Sequence, residues 1–230
     1  GEDTSANSIF WEFGNNNLAN RHLLITGSSG QGKTYCIQTL LYELLMDGVP
    51  SLIFDYSDSY KMDQLDANFI EQVSDRLDNR VFYFGDVPIN PFVRHEIEIG
   101  GITGPEKESD VAARFAEILV NVYKLGDQQR SAVFTAVLNG LKKYGKSMDM
   151  RHFRLELEDL QDTNKTASSV ISKMEPFFES ITFQSQDTLD WGQVLYNDQP
   201  KVTIFQLTGI SRDNQKILTE LFLWDAWYYT

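Results

Sequence analysis

Short apolar runs bounded by polar or glycine residues alternate along the chain with longer segments whose apolar residues recur every three or four positions. Runs of the first kind are typical of strands buried on both faces of a parallel sheet. Four segments have this form: "HLLITG" at 22–27, "SLIFD" at 51–55, "RVFYFG" at 80–85 and "KVTIFQL" at 201–207. The upstream segment "SIFWEFG", Ser8 to Gly14, is predicted to be a short edge strand or hairpin arm. The alternation predicts an α/β fold with a mainly parallel sheet.

A helix is predicted between the first two strands. Its apolar residues repeat at helical spacing, and "DGVP" marks its end. Cys36, the single cysteine, falls in this helix; it excludes an internal disulfide and is predicted to fill space in the core. The apolar residues of the repeat are Ile37, Leu40, Leu41, Leu44 and Leu45.

From Pro88 the pattern becomes mostly helical. Three helices are predicted there, and Pro176 is expected to disturb the third, while the glycine-rich stretch at 98–108 is expected to be a flexible surface loop. We therefore predict an N-terminal part of the core at 1–87, a helical insertion at 88–200 and a C-terminal part of the core at 201–230. The first two helices carry apolar stripes at Val111, Phe115, Ile118, Leu119 and Val122 and at Val133, Val137 and Leu141, and the third contains "ASSVISKM".

Charge and hydropathy limit the classes of partner. The 230 residues carry a net charge of −13, so any contact with nucleic acid must be local. The local candidate is a basic cluster, although such clusters are also common at solvated helix ends. No run approaches a membrane span and no signal peptide is evident, which predicts a cytoplasmic protein without membrane contact. The cluster consists of Lys142, Lys143, Lys146, Arg151 and Arg154.

The segment after the first predicted strand satisfies the phosphate-loop pattern G-x-x-x-x-G-K-[ST] completely. Glycines allow backbone N–H groups to face one centre, and the following helix adds its positive end. Lys33 is predicted to reach the β- and γ-phosphates as a catalytic charge, and the Thr34 hydroxyl to bind Mg²⁺. The pattern therefore predicts ATP and Mg²⁺ as cofactors. The predicted cradle comprises Gly27, Ser28, Ser29, Gly30, Gln31, Gly32, Lys33, Thr34 and Tyr35.

Hydrolysis also requires a carboxylate on a second strand. Asp55 ends the predicted strand 51–55 and is the candidate catalytic and metal-binding acid, with Asp58 as a weaker second choice. The alternative is that Asp55 is an ordinary turn residue, because "DYSDSY" is rich in residues that favour turns. Both interpretations remain open at this point.

The motif order resembles the HerA/FtsK group of P-loop ATPases over nearly the whole chain. The resemblance rests on "RHLLITGSSGQGKT", "PSLIFDYSDSY", "VPINPF" and "KVTIFQLTGISRDNQKILTELFLWDAWY". Within the group it is most similar to the HerA-type ATPases associated with restriction of DNA that lacks phosphorothioate modification. One departure concerns the segment after the second strand, where many relatives carry a glutamate at the position of Ser59. Gln215 matches a recurrent glutamine of the group, or is simply a polar residue at a helix start.

The resemblance implies a RecA-like core, a ring of subunits that is usually hexameric, and movement along double-stranded DNA in bacterial or archaeal cytoplasm. It also implies other subunits of a defence complex as partners. In this group an Asp-Glu pair lies on the strand after "LFLWDAWYY", followed by an arginine that reaches a neighbouring subunit. We accordingly expect the present sequence to be truncated at its C-terminus.

Two further classes of function remain as alternatives. A nucleotide-dependent assembly scaffold with little hydrolysis is compatible with the acidic composition and the aromatic C-terminal helix. A P-loop GTPase or kinase is disfavoured, because "NKTA" at Asn164 has Ala167 where a guanine-binding motif needs aspartate, and no arginine-rich lid is apparent.

Overall fold

The computed structural model of the protein describes residues 14, 15, 17 and 22–229. The described residues fall into two units, one ending at Ile37 and the other beginning at Gln38. Apart from Gly14, the predicted edge strand at residues 8–14 lies outside the described residues.

A three-stranded parallel sheet in the order β1–β5–β2 forms the centre of the second unit. Its strands are β1 (Ser51–Asp55), β2 (Leu77–Val81) and β5 (Val202–Gln206). Residue Gln206 of β5 stands opposite both Asp55 and Val81, so the three strands end at one level. The parallel sheet and its intervening helices confirm the predicted α/β fold class.

The predicted third strand is displaced by three to four residues. Pairing with β5 begins at Leu77, so β2 ends at Val81 and the aromatic residues that suggested a strand follow it. Of these, Phe82 enters the core, whereas Tyr83 and Phe84 are exposed. The pairing partner, rather than β propensity, therefore decides where this strand begins and ends.

In the first unit, residues 22–28 form no strand, contrary to the prediction for 22–27. An apolar run becomes a strand only when its backbone groups join a ladder. Neither sheet of the described chain includes this segment. The predicted burial is not found either, because Leu23 and Leu24 of this segment are exposed.

Eight α-helices surround these strands in the described part of the chain. The long apolar stripes predicted on α3 and α4 are buried, which confirms them. Helices α3 to α7 follow β2 and precede β5 in the chain, within the predicted insertion, whose exact boundaries stay a prediction. The helices are α1 (Lys33–Met46), α2 (Ala67–Val73), α3 (Glu108–Tyr123), α4 (Asp127–Tyr144), α5 (Met150–Gln161), α6 (Lys165–Ser180), α7 (Trp191–Leu195) and α8 (Arg212–Tyr229).

One helix prediction is wrong, because Cys36 is exposed rather than part of the core. Pro176 lies inside the third predicted helix, and α6 continues past it to Ser180, whose hydroxyl donates a hydrogen bond to the Pro176 carbonyl. A tolerated proline of this kind loses one backbone hydrogen bond without breaking the helix.

The residues predicted as a flexible glycine-rich loop instead form an antiparallel hairpin. Its strands are β3 (Glu96–Ile99) and β4 (Ile102–Pro105), joined by Gly100 and Gly101. Both glycines have positive φ, 62° and 80°, as a two-residue primed turn requires. The strand signal in the sequence was the alternation of Ile97 and Ile99 with glutamates before the glycine pair, followed by Ile102 after it.

Aromatic side chains form the contact between the sheet and α8. The Phe205 ring of β5 lies 4.7 Å from the Phe222 ring of α8 and 5.1 Å from that of Phe82, measured between centroids. Phe54 meets Phe205 edge to face at 5.6 Å. These rings each bury a large apolar area and fix α8 against the sheet.

Glu106, between the hairpin and α3, forms a buried ion pair with Arg114 of α3 and a hydrogen bond with Tyr228 of α8. Glu106, 2% exposed, accepts hydrogen bonds from the Arg114 guanidinium and from the Tyr228 hydroxyl, the latter at 2.8 Å. The Arg114 guanidinium also lies 4.9 Å from the centre of the Tyr228 ring. The second Glu106 oxygen, Oε2, is buried without a hydrogen-bond partner.

Candidate nucleotide-binding site

Two glycines of the predicted phosphate loop adopt backbone conformations with positive φ. Gly30 and Gly32 have φ values of 78° and 76°, in the left-handed region that favours glycine. Space is open where a Cβ would project from either residue. Helix α1 starts at Lys33, immediately after the second of these glycines, so the loop leads directly into a helix N-terminus.

The two side chains assigned to phosphate and metal begin this helix. The Lys33 ammonium donates a 2.7 Å hydrogen bond to the backbone carbonyl of Ser28, folding back across the loop. Thr34 follows it and is half-buried. A small movement of the flexible lysine side chain would break this hydrogen bond and let the ammonium bind phosphate oxygens instead.

Asp55, in the second unit, is nine-tenths or more buried at the end of β1. Its Oδ1 accepts from the Ser57 amide at 3.0 Å, and its Oδ2 accepts from the Tyr60 amide at 2.9 Å. The Ser57 hydroxyl adds a weaker bond of 3.3 Å to Oδ1. These contacts agree with the turn interpretation of Asp55, while its catalytic and metal-binding roles stay predictions.

Tyr60 closes the same turn. Burial raises the pKa of its phenol to about 12, and the nearby charge of Asp55 acts in the same direction. Tyr60 is therefore neutral at physiological pH. Ser59, where many relatives carry glutamate, shares a 2.8 Å hydrogen bond with the Ser57 hydroxyl.

Within the second unit, Gln206 contacts Asp55, and the sequence interpretation assigned it no role. Its Nε2 atom donates to Asp55 Oδ2 at 3.0 Å, to Asp58 Oδ1 at 3.1 Å and to Thr208 Oγ1 at 2.9 Å. Its Oε1 atom is buried without a partner. The sequence signal that could have identified Gln206 is its position as a polar residue at the end of β5, all of whose residues are buried.

Asp58 takes part in the network from a backbone conformation with a φ of 64°. The hydrogen bond from Lys61 lowers the pKa of its carboxyl, with a smaller contribution from Thr208. The Asp58 amide donates to Thr208 Oγ1 at 3.0 Å. Asp55 and Asp58, the first and second choices for the acid, are thus brought together through one glutamine.

Gln215 has a structural position in α8. Its Nε2 atom donates to the Leu207 carbonyl at 3.0 Å, and the residue is buried. This contact links α8 to the end of β5. The interpretation of Gln215 as a polar residue near a helix start accounts for these bonds.

Most cations of the predicted basic cluster are paired with acids. Lys143 lies 2.8 Å from Glu156, and this hydrogen bond raises the pKa of its ammonium. Arg151 lies 2.6 Å from Asp149. Arg154 contacts three glutamates at 3.0–3.1 Å, namely Glu158, Glu175 and Glu179. The cluster therefore presents little net positive charge, which weakens it as a surface for nucleic acid.

Among residues 14, 15, 17 and 22–229, no three His, Cys, Asp or Glu side chains are grouped so that they could hold a metal ion. In the same part of the chain, none of the helices has the length and apolar character needed to cross a bilayer.

The phosphate loop at the start of α1 and the parallel sheet define the class of the protein as a P-loop α/β protein. A family model described as "Helicase HerA, central domain" matches residues 4–225. The chain belongs to this family and is a HerA/FtsK-type P-loop ATPase domain.

A solved structure, that of VirB4 of Thermoanaerobacter pseudethanolicus, is similar in fold. The match has a TM-score of 0.68 at 15% sequence identity and covers 100% of this chain. It covers 62% of the VirB4 chain, so the present sequence spans less than two thirds of that protein. The fold is that of a RecA-like core. No curated protein matches the sequence.

Proposed function

We propose that the chain is the nucleotide-binding part of an ATP-hydrolysing motor that moves along double-stranded DNA as a ring of six subunits, the usual number in the group that it resembles. The carrying observation is the match to the HerA central domain over residues 4–225, which includes a complete phosphate loop. The proposed setting is a prokaryotic DNA restriction or defence system, with other subunits of that system as partners; the resemblance to restriction-associated members supports this proposal.

ATP is the proposed nucleotide, with Mg²⁺ as its metal. The backbone from Gly27 to Gly32 would surround the phosphates, and the positive φ values of Gly30 and Gly32 are compatible with this role. Lys33 would neutralise phosphate charge, and the Thr34 hydroxyl would hold the metal. When bound, Mg²⁺ supplies charge neutralisation at the phosphoryl oxygens.

The net charge of −13 bears on how DNA would be held. An averaged acidic surface repels DNA, so the proposed contact requires a local basic lining contributed by several subunits. Most cations of the 142–154 cluster are already neutralised. We therefore place the DNA contact away from this cluster.

The test is DNA-stimulated ATP hydrolysis by the full-length protein. Lys33→Ala is expected to reduce turnover by at least about a hundredfold, because the lysine stabilises charge that develops at the phosphates. The matched control is Lys165→Ala, which removes an exposed lysine at the start of α6. Equal turnover in wild type and Lys33→Ala would exclude the phosphate loop as the catalytic site.

The sequence-based assignment of Asp55 to the metal can be tested in the same assay. If Asp55 supports Mg²⁺, Asp55→Asn will raise the Mg²⁺ concentration needed for half-maximal turnover. If Asp55 only holds the turn, Asp55→Asn will lower thermal stability without changing the Mg²⁺ requirement.

ATP-dependent assembly without DNA-dependent turnover in the full-length protein would favour a different function. In that case the chain would be an assembly scaffold whose nucleotide holds a defence complex together.

A further inference from the structure

The β3–β4 hairpin has one apolar face that is exposed at its tip, although Ile97 and Gly104 nearer the base are partly buried. Cross-strand partners share a face of a hairpin, and successive residues alternate between faces. The pairs Ile99–Ile102 and Ile97–Gly104 therefore lie on one face, and Glu96–Pro105 and Glu98–Thr103 on the other. Ile99 is 72% exposed and Ile102 is 77% exposed.

The hairpin is fixed at its base and unsupported at its tip. At the base, the Glu106 amide donates to the His95 carbonyl at 2.8 Å, and Arg94 Nε donates to the Glu106 carbonyl at 2.7 Å. In the described chain neither strand pairs with a third strand. A two-stranded hairpin is only marginally stable by itself, and exposed isoleucines at its tip are typical of a surface that contacts a partner.

A cavity of about 640 Å³ lies at the base of the same hairpin. Phe92, Val93 and Leu141 give it an apolar lining, and Glu96 and Pro105 also border it. Those last two residues form the pair on the polar face, so the cavity lies on the side opposite the exposed isoleucines. Its volume is in the range of pockets that receive several apolar groups.

Each feature carries one charged side chain of opposite sign that has no ion-pair partner in the described chain, although the cavity lining also includes Glu96 and the Arg94–Glu108 ion pair. Glu98 is exposed near the tip and Lys146 is exposed at the cavity. Neither residue forms an ion pair within the described residues, although most neighbours of Lys146 in the basic cluster do. A tip that entered the cavity of another copy would bring these opposite charges together.

We propose that the hairpin tip of one subunit, Ile99 and Ile102, inserts into the cavity lined by Phe92, Val93 and Leu141 of a second copy of this chain. The contact joins two different patches, so it is a head-to-tail contact, which builds a ring when the rotation between subunits closes and a filament when it does not. The inference rests on the proposed ring assembly and adds the residues that hold adjacent subunits together. Pairing of Glu98 with Lys146 across the contact would set its register.

Sedimentation velocity of the full-length protein with ATP and Mg²⁺ tests the contact. Glu98→Lys and Lys146→Glu are each expected to raise the protein concentration needed for assembly about tenfold, and the double variant to restore assembly. Ile99→Ser combined with Ile102→Ser is expected to weaken assembly more strongly. Glu71→Lys, an equal charge change at an exposed position of α2, is the matched control.

A cysteine experiment provides an assay that does not depend on loss of assembly. With Cys36 and any other cysteine replaced by serine, Glu98→Cys protein mixed with Lys146→Cys protein should form a disulfide-linked pair on mild oxidation. Glu98→Cys with Lys146→Cys in one chain should form a ladder of linked species. Absence of both products in an assembled protein would overturn the contact.

The outcomes separate this inference from the proposed function. A wild-type protein that stays monomeric with ATP and DNA would refute the ring assembly itself. Assembly of wild type together with unchanged assembly of the isoleucine variant would overturn the hairpin contact alone and leave the ring standing.

Discussion

The side-chain nitrogen of Gln206 lies 3.0 Å from Oδ2 of Asp55 and joins the ends of two adjacent parallel strands. The same nitrogen lies 3.1 Å from Asp58 Oδ1, so one neutral amide separates two carboxylates. Like charges in such proximity would repel without a donor between them. Gln206 therefore stabilises the loop that follows β1 by holding both acids at once.

Replacing Gln206 with glutamate should destabilise the fold more than replacing it with leucine. Gln206→Leu removes the donor and costs about 1–3 kcal/mol, the usual effect of leaving a buried group unpaired. Gln206→Glu adds a third negative charge, whose neighbours raise its folded-state pKa above the unfolded value. Its extra penalty is therefore present at neutral pH and shrinks as pH falls. Urea unfolding of both variants at pH 5 and pH 7.5 measures this, and an identical pH response would contradict the role of Gln206.

The Glu106–Arg114 pair should behave as a buried ion pair. Arg114→Met leaves the carboxylate of Glu106, 2% exposed, without its cation and should cost about 3–5 kcal/mol of unfolding free energy. Adding Glu106→Leu to that variant should recover much of the loss, because no buried charge then remains. Thermal or urea unfolding of the single and double variants gives the interaction energy between Glu106 and Arg114.

The matched control for Arg114 is Arg130→Met. Arg130 pairs with Glu117 at 3.4 Å, but both side chains are about half exposed. Breaking this surface pair should cost less than about 1 kcal/mol. Similar losses at the two arginines would show that burial does not determine the strength of the Arg114 contact.

Asp187 should make stability depend on pH. Burial raises the pKa of its carboxyl to about 6, against which the hydrogen bond from the Asn90 amide acts. In the unfolded chain the pKa of this carboxyl is near 3.8, so the proton is released at lower pH than in the folded protein. The stabilisation that protonated Asp187 adds to the free energy of unfolding is therefore fully present below pH 3.8 and is lost as pH rises through about 6.

Asp187→Asn removes that titration. Because the side chain is partly exposed, the variant should gain only about 1 kcal/mol relative to wild type between pH 4.5 and 7.5. Urea midpoints at the two pH values measure the difference, with Asp162→Asn at an exposed position as the control. A gain of the same size in the control would assign the effect to net charge.

Gly209 should not tolerate alanine. Its φ is 85°, and a Cβ would lie 2.9 Å from Cδ2 of Tyr83. Strain and the close contact together should cost about 1–3 kcal/mol. Gly85→Ala is the control, since its Cβ would meet nothing within 4 Å. Thermal unfolding compares them, and Gly209→Ala combined with Tyr83→Ala should recover only the part due to the contact.

The local sequence pattern predicted helices better than it predicted strands, because strand limits depend on the strand that pairs with them. The stripes Val111–Val122 and Val133–Leu141 are buried as expected, because helical periodicity is independent of distant residues. The segment 22–27 and the start of β2 were misjudged, because strand limits depend on a neighbour far along the chain. Short, glycine-containing strands such as 96–105 resemble loops in composition.

The candidate functional residues show the same difference between local and long-range signals. The phosphate loop was recognisable because its chemistry requires a fixed local spacing. Gln206 was not, because its importance arises from contacts with Asp55 and Asp58, which lie about 150 positions earlier in the sequence. Neutralisation of the basic cluster was also invisible, since Glu175 and Glu179 come from a different helix, α6.

All five residues of β5 are buried, and the strand is paired on both sides. Each of its amide protons therefore exchanges only when the neighbouring strand to which it is bonded separates and the buried strand becomes accessible to solvent. Residues 202–206 should exchange their amide hydrogens for deuterium more slowly than the hairpin at 96–105, at a rate that reports global unfolding. The strand that carries Gln206 is thus expected to open less often than the hairpin tip proposed to contact another subunit.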